Sequence, residues 1–188
     1  MTFALLASFC GFSATTYTFT EGDLNWNYTL SSGQATLTGV SATSGALPAA
    51  LTLPSVVSKS EIEYPVVAVG ASCFQEIAIT SLKVADSIKT IGSGAFYNCT
   101  ALTSVDLGNG LTTIYGNDNT TSNDPDNYVQ YGAFGNCINL ETVTFGSNLI
   151  TIGGHAFSEC WVLESVNLPD SVKTIGPNAF YNNKACLL

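Results

Sequence analysis

The chain has 188 residues, which is enough for one domain with a sizeable core. Hydrophobic residues make up 46% of it and charged residues only 10%, so the composition excludes a disordered chain. The formal net charge is −9, the five cations are all lysines, and arginine is absent. This balance argues against nucleic acid or an anionic membrane surface as a partner. Because no run of 18 apolar residues occurs, no membrane insertion is predicted.

Residues 1–14 begin the chain with an apolar stretch, Phe3–Phe12, followed by small residues before Ala14. This pattern predicts the remnant of a secretory signal peptide, and with it a secreted or cell-surface location. The positively charged start of such a signal is missing, so Met1 also fits an internal methionine of a longer precursor. The alternative interpretation is an apolar N-terminal strand.

Residues 15–48 alternate between apolar and polar side chains. The period of two is clear in 17–20, 24–30 and 35–40, and the turn-forming residues 31–34 separate the last two runs. Alternation of this kind predicts β-strands. We expect a β-hairpin cap that covers the open first coil of the repeats that follow.

A short motif then recurs at nearly constant spacing. Ile91–Phe96 returns as Ile152–Phe157 and again as Ile175–Phe180. The isoleucines are 23 residues apart, except that Ile114 and Ile152 are separated by 38, one repeat plus 15 extra residues. A fixed period in the twenties predicts stacked coils, none of which buries its apolar side alone.

Each coil from residue 49 to 188 contains the same elements. The first element is a three-residue strand motif whose outer positions are apolar, and these outer side chains are predicted to point inward. The motif occurs at 51–53, 82–84, 105–107, 143–145 and 166–168. A second strand precedes the recurring glycine, at 88–91, 111–114, 149–152 and 172–175. Between them lies one phenylalanine per coil, and we call this set the spine: Phe74, Phe96, Phe134, Phe157 and Phe180. The sequence predicts that the spine is buried and stacked.

The repeat resembles the BspA-type leucine-rich repeats of bacterial and protist surface proteins. The residues from Ile152 to Thr174 match the family motif I-G-x-x-A-F-x-x-C-x-x-L-x-S-V-x-L-P-x-S-V-x-x at nearly every defined position. The resemblance covers about residues 50–188, with Cys73, Ile77 and Asn183 as departures. It implies an all-β-rich repeat solenoid, a leucine-rich repeat right-handed coil with the N-terminal hairpin cap, acting in adhesion or binding.

Cysteine and histidine do not predict a catalytic or metal site. Cys99, Cys137 and Cys160 each follow a spine phenylalanine by three residues, so they are expected to form a column of buried free thiols. No CxxC pair exists, and the single histidine, His155, is isolated in sequence. Its counterparts in other coils are Gly94, Gly132 and Asn178, so we expect His155 on an exposed turn. No cofactor, no metal and no enzymatic activity are predicted.

The insertion at about residues 115–131 distinguishes one coil from the rest. Its aspartates carry oxygen ligands suited to calcium, but their spacing lacks the glycine and terminal glutamate of an EF-hand loop. Tyrosines among Asn, Ser and Gly are typical of binding loops. The candidate binding loop, with Trp161 as an exposed turn residue beside it, comprises Tyr115, Asp118, Asp124, Asp126, Tyr128, Tyr131 and Trp161. A solvated loop without a binding role is the alternative.

A second candidate surface is the row of outward-facing strand positions. It is small, rich in hydroxyl groups and almost uncharged, and it comprises Ser81, Lys83, Ser104, Asp106, Thr142, Thr144, Ser165 and Asn167. The alternative is a solvated face whose Ser and Thr residues reflect β-propensity.

These observations favour a non-enzymatic adhesion or protein-binding module of a secreted or cell-surface protein. The expected partner is a host or neighbouring-cell surface or matrix protein, with a glycan also open. The competing hypotheses are a carbohydrate-binding module and a structural spacer within a longer surface protein. The last repeat stops before its next strand, at Leu187 and Leu188, so a fragment of a longer protein or a variant that has lost its tail is expected.

Overall fold

A computed structural model describes residues 15–117 and 132–184 of the chain. Within these ranges the regular structure consists of strands, and no helix in them is long and apolar enough to cross a membrane. The strands are β1 Thr16–Glu21, β2 Leu24–Ser31, β3 Gln34–Ala42, β4 Ala50–Thr52, β5 Val56–Lys59, β6 Ile62–Val69, β7 Ser81–Lys83, β8 Thr90–Ile91, β9 Ser104–Asp106, β10 Thr113–Ile114, β11 Thr142–Thr144, β12 Thr151–Ile152 and β13 Thr174–Ile175.

The first three strands form an antiparallel meander where the alternating pattern predicts it. β1 pairs with β2 and β2 with β3, and the tight turn between the last two has positive φ at Ser32 and Gly33. The inward side chains Trp26, Tyr28 and Leu37 are fully buried. β3 then pairs in parallel with β6, so the meander continues directly into the repeat sheet.

A second hairpin, β5–β6, was not predicted from the sequence. Its two-residue turn places Ser60 and Glu61 at φ 51° and 66°, conformations that a glycine would normally supply. The hairpin packs back on the meander, where Tyr28 donates its hydroxyl hydrogen bond to the carbonyl of Ser58 at 3.0 Å. The missing turn glycine explains why the sequence pattern did not reveal it.

The coils build two parallel ladders in which the same repeat position lies in register. One sheet runs β6-β8-β10-β12-β13, and the other has the order β11-β9-β7-β4. In the first, Val69, Ile91, Ile114 and Ile152 follow one another and are at most 2% exposed. Ile175 occupies the same position in the last described coil but is 50% exposed, because no further coil of the described chain covers it.

The spine is confirmed as a continuous stack between the two sheets. Successive ring centroids are 5.1–5.5 Å apart, and the rings are within 13° of parallel. The four rings from Phe74 to Phe157 are at most 1% exposed, whereas Phe180 at the end is half-buried. Offset stacking of this kind adds to the hydrophobic stabilisation from burial.

The cysteine column packs beside the spine. Cys99, Cys137 and Cys160 are fully buried and are not in disulfides. Each thiol donates to the carbonyl of a spine residue in the preceding coil, at 3.2–3.3 Å. Asn183 takes the thiol's place in the last coil and donates to the carbonyl of Phe157 at 2.9 Å. The column therefore satisfies carbonyl groups that the tight turns would otherwise leave buried without a partner.

We expect these three thiols to resist alkylation in the native protein. Burial raises the pKa of Cys160 to about 12, and a hydrogen bond from Cys99 together with burial raises the pKa of Cys137. Since the thiolate is the reactive form, iodoacetamide at pH 8 should modify the half-buried Cys73 and spare the column until the chain unfolds. Peptide mass spectrometry gives the result, and a native Cys99–Cys137 or Cys137–Cys160 bridge would contradict it.

The raised thiol pKa also predicts an alkaline limit to stability. In the unfolded chain a cysteine titrates near its ordinary value of 9.0, while in the fold Cys160 titrates at about 12. The stabilisation is therefore fully present below about pH 9 and is lost as the pH rises towards 12.

The prediction of a fifth strand in the second sheet was wrong. Residues 166–168 match the strand motif, yet they form no ladder with β11. Val166 and Leu168 are consequently half-buried, whereas their counterparts Val105 and Leu107 are at most 2% exposed.

Candidate functional site

The outward side chains of the second sheet form two rows, which we call the strand face. The first row contains Ala50, Ser81, Ser104 and Thr142, and the second contains Thr52, Lys83, Asp106 and Thr144. Alternation along each strand points these residues away from the core, and the parallel register sets neighbours about 4.8 Å apart. Six of the eight predicted strand-face residues therefore lie side by side.

The strand face is the floor of a shallow groove of about 250 Å³. All four strands contribute to its lining, from Ala50 at one end to Thr144 at the other. The two remaining predicted residues, Ser165 and Asn167, are exposed but do not line it, since residues 164–168 do not join the sheet. Ala50 lines the groove and was missed, because alanine lacks the hydroxyl group that marks Ser81, Ser104 and Thr142 at the equivalent position.

A charged pair marks the middle of the groove. Lys83 and Asp106 occupy paired positions on β7 and β9, with Lys83 exposed and Asp106 half-buried. The Asp106 Oδ1 atom accepts a hydrogen bond from the backbone N–H of Gly108 at 3.0 Å, which fixes the carboxylate. The groove thus offers one anchored carboxylate and one exposed ammonium group among hydroxyl groups.

His155 is not on an exposed turn, and that expectation was wrong. Its residue is 3% exposed, and its backbone has φ 57°. The following coil covers it: the His155 N–H donates to the carbonyl of Pro177 at 3.0 Å, and its Nε2 atom lies 3.4 Å from the Asn178 amide nitrogen. Alignment of the repeats with one another places His155 opposite glycine and asparagine, but it carries no information on which residues pack over the turn.

Trp161 is exposed as predicted, with 51% of its surface accessible. Its indole N–H donates to the Glu159 Oε2 atom at 2.8 Å, and the Asn182 amide donates to the same oxygen at 2.7 Å. The ring is therefore held in one orientation although half of it faces solvent.

The predicted binding loop is only partly within the described residues. Tyr115 is 52% exposed, whereas Asp118, Asp124, Asp126, Tyr128 and Tyr131 lie outside the described ranges. The described ends of the insertion meet the next coil at one place: Asn117 donates its N–H to the Gly154 carbonyl at 3.0 Å, and Gly132 is in contact with His155. Among residues 15–117 and 132–184, no three His, Cys, Asp or Glu side chains are grouped closely enough to bind a metal ion.

A polar column on the turns was missed by the sequence reasoning. Two residues after each spine phenylalanine the chain has positive φ, at Glu76, Asn98, Asn136, Glu159 and Asn182. Neighbouring side chains are hydrogen-bonded, for example Asn136 to Asn98 at 2.8 Å. The recurrence of Asn or Glu at this position was the available signal, since asparagine tolerates the left-handed region better than most residues.

Residues 118–186 match the family model described as BspA type leucine rich repeat region (6 copies). No curated protein matches the chain. Among solved structures, the chain is similar to a leucine-rich repeat protein from Bacteroides ovatus, with 24% identity and a TM-score of 0.67 over 87% of this chain and 38% of that one. The low identity means that this likeness shows the fold alone.

Two further structures share more of the sequence. The T. pallidum leucine-rich repeat protein is 29% identical, with a TM-score of 0.66 over 83% of this chain and 64% of that one. A leucine rich cell surface protein from Faecalibacterium prausnitzii is 27% identical, with a TM-score of 0.54 over 91% of this chain and 48% of that one. The chain therefore spans less than two thirds of each of these proteins.

The repeat register, the stacked spine and these similarities together define a leucine-rich repeat protein. The repeats within residues 118–186 match the model of BspA-type leucine-rich repeats.

Proposed function

We propose that this chain is a non-enzymatic binding module of a secreted or cell-surface protein, and that its strand face binds a protein. The observation that carries the proposal is the groove, whose hydroxyl rows surround the paired Lys83 and Asp106. Hydroxyl groups with one charge of each sign suit the polar surface of a partner and favour a specific register.

The groove supports a protein more than a glycan. Sugar rings stack on flat aromatic side chains, and the groove lining contains none. Exposed aromatic residues lie instead on the turns, at Tyr115 and Trp161, where they add contact area of the kind found in protein interfaces. The fixed orientation of Trp161 is the feature that favours carbohydrate binding as a second candidate.

The descriptions of two similar solved structures support the proposed location. One similar structure is described as a cell surface protein, and another, of 20% identity, as a pneumococcal vaccine antigen. For this chain we propose a secreted or surface location and adhesion to a host or neighbouring-cell surface or matrix protein. A net charge of −9 makes a basic or neutral partner surface the better match.

The test is binding of the purified chain to decellularised matrix from cultured cells, measured by biolayer interferometry. We expect Lys83→Ala combined with Asp106→Ala to weaken binding by about tenfold or more, because both charges lie at the centre of the groove. Lys89→Ala is the matched control, since Lys89 is exposed and is not part of the groove. Removal of residues 118–131 tests the candidate loop separately.

Enzymatic treatment of the matrix before the binding measurement distinguishes protein binding from carbohydrate binding. Protease treatment should abolish binding, while glycosidase treatment should leave it intact. Loss after glycosidase alone, together with sensitivity to Trp161→Ala, would establish carbohydrate binding instead. Absence of binding to untreated matrix would favour a structural spacer, and loss only on removal of residues 118–131 would move the site to the loop.

A further inference from the structure

Strand β11 is an edge of the second sheet although the repeats continue beyond it. The next coil places residues 164–168 one repeat further on, but its backbone forms no hydrogen bond with β11 in the described chain. The rest of that coil is attached normally: Lys173 donates to the Ile150 carbonyl at 2.9 Å, and Phe157 donates to the Ala179 carbonyl at 2.7 Å. The opening is therefore local to β11.

One backbone donor on this edge lacks the acceptor that its counterparts have. The residue after each strand donates its N–H to the next coil: Leu53 to Lys83, Val84 to Asp106 and Leu107 to Thr144, at 2.8–3.0 Å. Phe145 is the corresponding residue after β11, and within residues 15–117 and 132–184 its N–H has no such acceptor. A row of unpaired strand groups is a template for another strand.

One backbone acceptor on the edge is open in the same way. The carbonyls of Ala49, Thr80 and Thr103 each accept from the next coil at 2.7–2.9 Å. Glu141 is the corresponding residue before β11, and its carbonyl accepts no backbone hydrogen bond in the described part of the chain.

The side chains of this edge are also less covered than those of the earlier coils. Val143 and Phe145 are half-buried, while their counterparts Val105 and Leu107 are at most 2% exposed. The edge therefore offers apolar contact area as well as backbone groups, which is the combination that binds an added strand.

The sequence explains why residues 164–168 do not close the edge. In earlier coils a threonine before the strand bonds to the preceding coil: Thr80 Oγ1 donates to the Ala49 carbonyl at 3.1 Å, and Thr103 Oγ1 donates to the Thr80 carbonyl at 3.0 Å. Glu141 and Glu164 hold this position in the last two coils. Closing the strand would place two carboxylates side by side, which is unfavourable.

Glu164 forms an ion pair with Lys184. Its carboxylate lies 3.6 Å from the Lys184 ammonium group, and both side chains are mostly exposed, so this ion pair contributes little. A cation beside Glu141 and Glu164 would interact with two carboxylates. It would replace only the weak ion pair between Glu164 and Lys184.

We propose that the open edge of β11 binds an extended peptide segment of a protein partner as an added strand in place of residues 164–168, with a lysine or arginine of that segment beside Glu141 and Glu164. The inference rests on the proposed protein-binding function and names the conformation and charge of the partner. Backbone bonds to Phe145 and Glu141 supply affinity, and the two carboxylates select for the basic residue.

The test uses two peptides that differ in one residue. The first is Lys-Ser-Val-Asn-Leu, which copies residues 164–168 with lysine in place of Glu164, and the second is the native Glu-Ser-Val-Asn-Leu. Amide hydrogen exchange measured by NMR should show the Phe145 N–H exchanging faster than Leu107 N–H in the free protein. The lysine peptide should protect the Phe145 N–H and bind about fivefold or more tightly than the native peptide.

Two variants make the result decisive. Glu141→Thr with Glu164→Thr restores the threonine column, so residues 164–168 should close onto β11, protect the Phe145 N–H without peptide and abolish peptide binding. Glu21→Thr with Glu63→Thr changes the net charge equally on β1 and β6 and should leave peptide binding unchanged. An unchanged or higher Tm of the first variant shows that it is folded.

Three outcomes overturn the inference: Phe145 N–H as protected as Leu107 N–H in the free protein, equal affinity for the two peptides, or peptide binding that survives the double threonine change. Matrix binding that still depends on Lys83 and Asp106 would then leave the proposed function standing. Peptide binding without any matrix binding would support the edge site and refute the proposed function.

Discussion

Replacing Phe134 by alanine is expected to lower the free energy of unfolding by about 3–5 kcal/mol. The Phe134 ring is fully buried and stacks between Phe96 at 5.2 Å and Phe157 at 5.1 Å. Its removal leaves a cavity that parallel coils cannot close, because hydrogen bonds between neighbouring turns fix the distance from coil to coil. Both stacked contacts are lost together with the burial.

Urea unfolding followed by circular dichroism measures this loss. Phe180→Ala is the matched control from the end of the spine, where the ring is half-buried and has one spine neighbour, at 5.5 Å. It should cost clearly less than Phe134→Ala. Tyr181→Ala, at a side chain that is 56% exposed, should be nearly neutral. Equal effects at Phe134 and Tyr181 would mean that the spine is not the core.

Gly110→Ala is expected to destabilise the fold by about 1–3 kcal/mol or more, although only one methyl group is added. Gly110 is buried where two coils approach, and an added Cβ would overlap the backbone carbonyl of Asp86. Backbone atoms have no alternative rotamer, so the two coils must separate. Separation would also disturb the bond from the Asn109 N–H to the Asp86 carboxylate, which is 2.7 Å long.

Gly39→Ala provides the comparison, since it adds the same methyl group without a clash. The nearest atom to a Cβ at Gly39 is the Asn27 amide nitrogen at 3.6 Å, an ordinary contact. Alanine also reduces the entropy of the unfolded chain, so this variant should be neutral or slightly stabilising. Differential scanning calorimetry of the two variants gives the difference directly. A Gly110→Ala protein as stable as Gly39→Ala would show that the coils are not in close contact there.

The groove and the open edge of β11 are adjacent parts of one surface. Thr142 and Thr144 line the groove and lie on the edge strand at the same time. A peptide added to β11 would therefore extend the floor of the groove, with Asp106 two strands and Lys83 three strands away from it. Variants of the pair and of Glu141 test separate parts of this surface.

The sequence by itself determined the repeat architecture. A 23-residue period places Phe96, Phe134 and Phe157 at equivalent positions, and burial of one large apolar residue per coil then forces the coils to stack. The same register predicted the buried thiols and the rows of the strand face. These features depend only on which residues repeat, because a residue at a fixed position in every coil has its own counterparts as neighbours.

Only the tertiary structure decided what happens where the repetition fails. His155 is buried because the following coil closes over its turn, although its counterparts predicted an exposed position. The β5–β6 hairpin has no repeat counterpart and turns through non-glycine residues. Residues 164–168 fit the strand motif but do not pair with β11, where Glu141 and Glu164 would lie side by side. Local pattern specifies which residues face inward, whereas pairing and burial at these sites depend on contacts with the neighbouring coil.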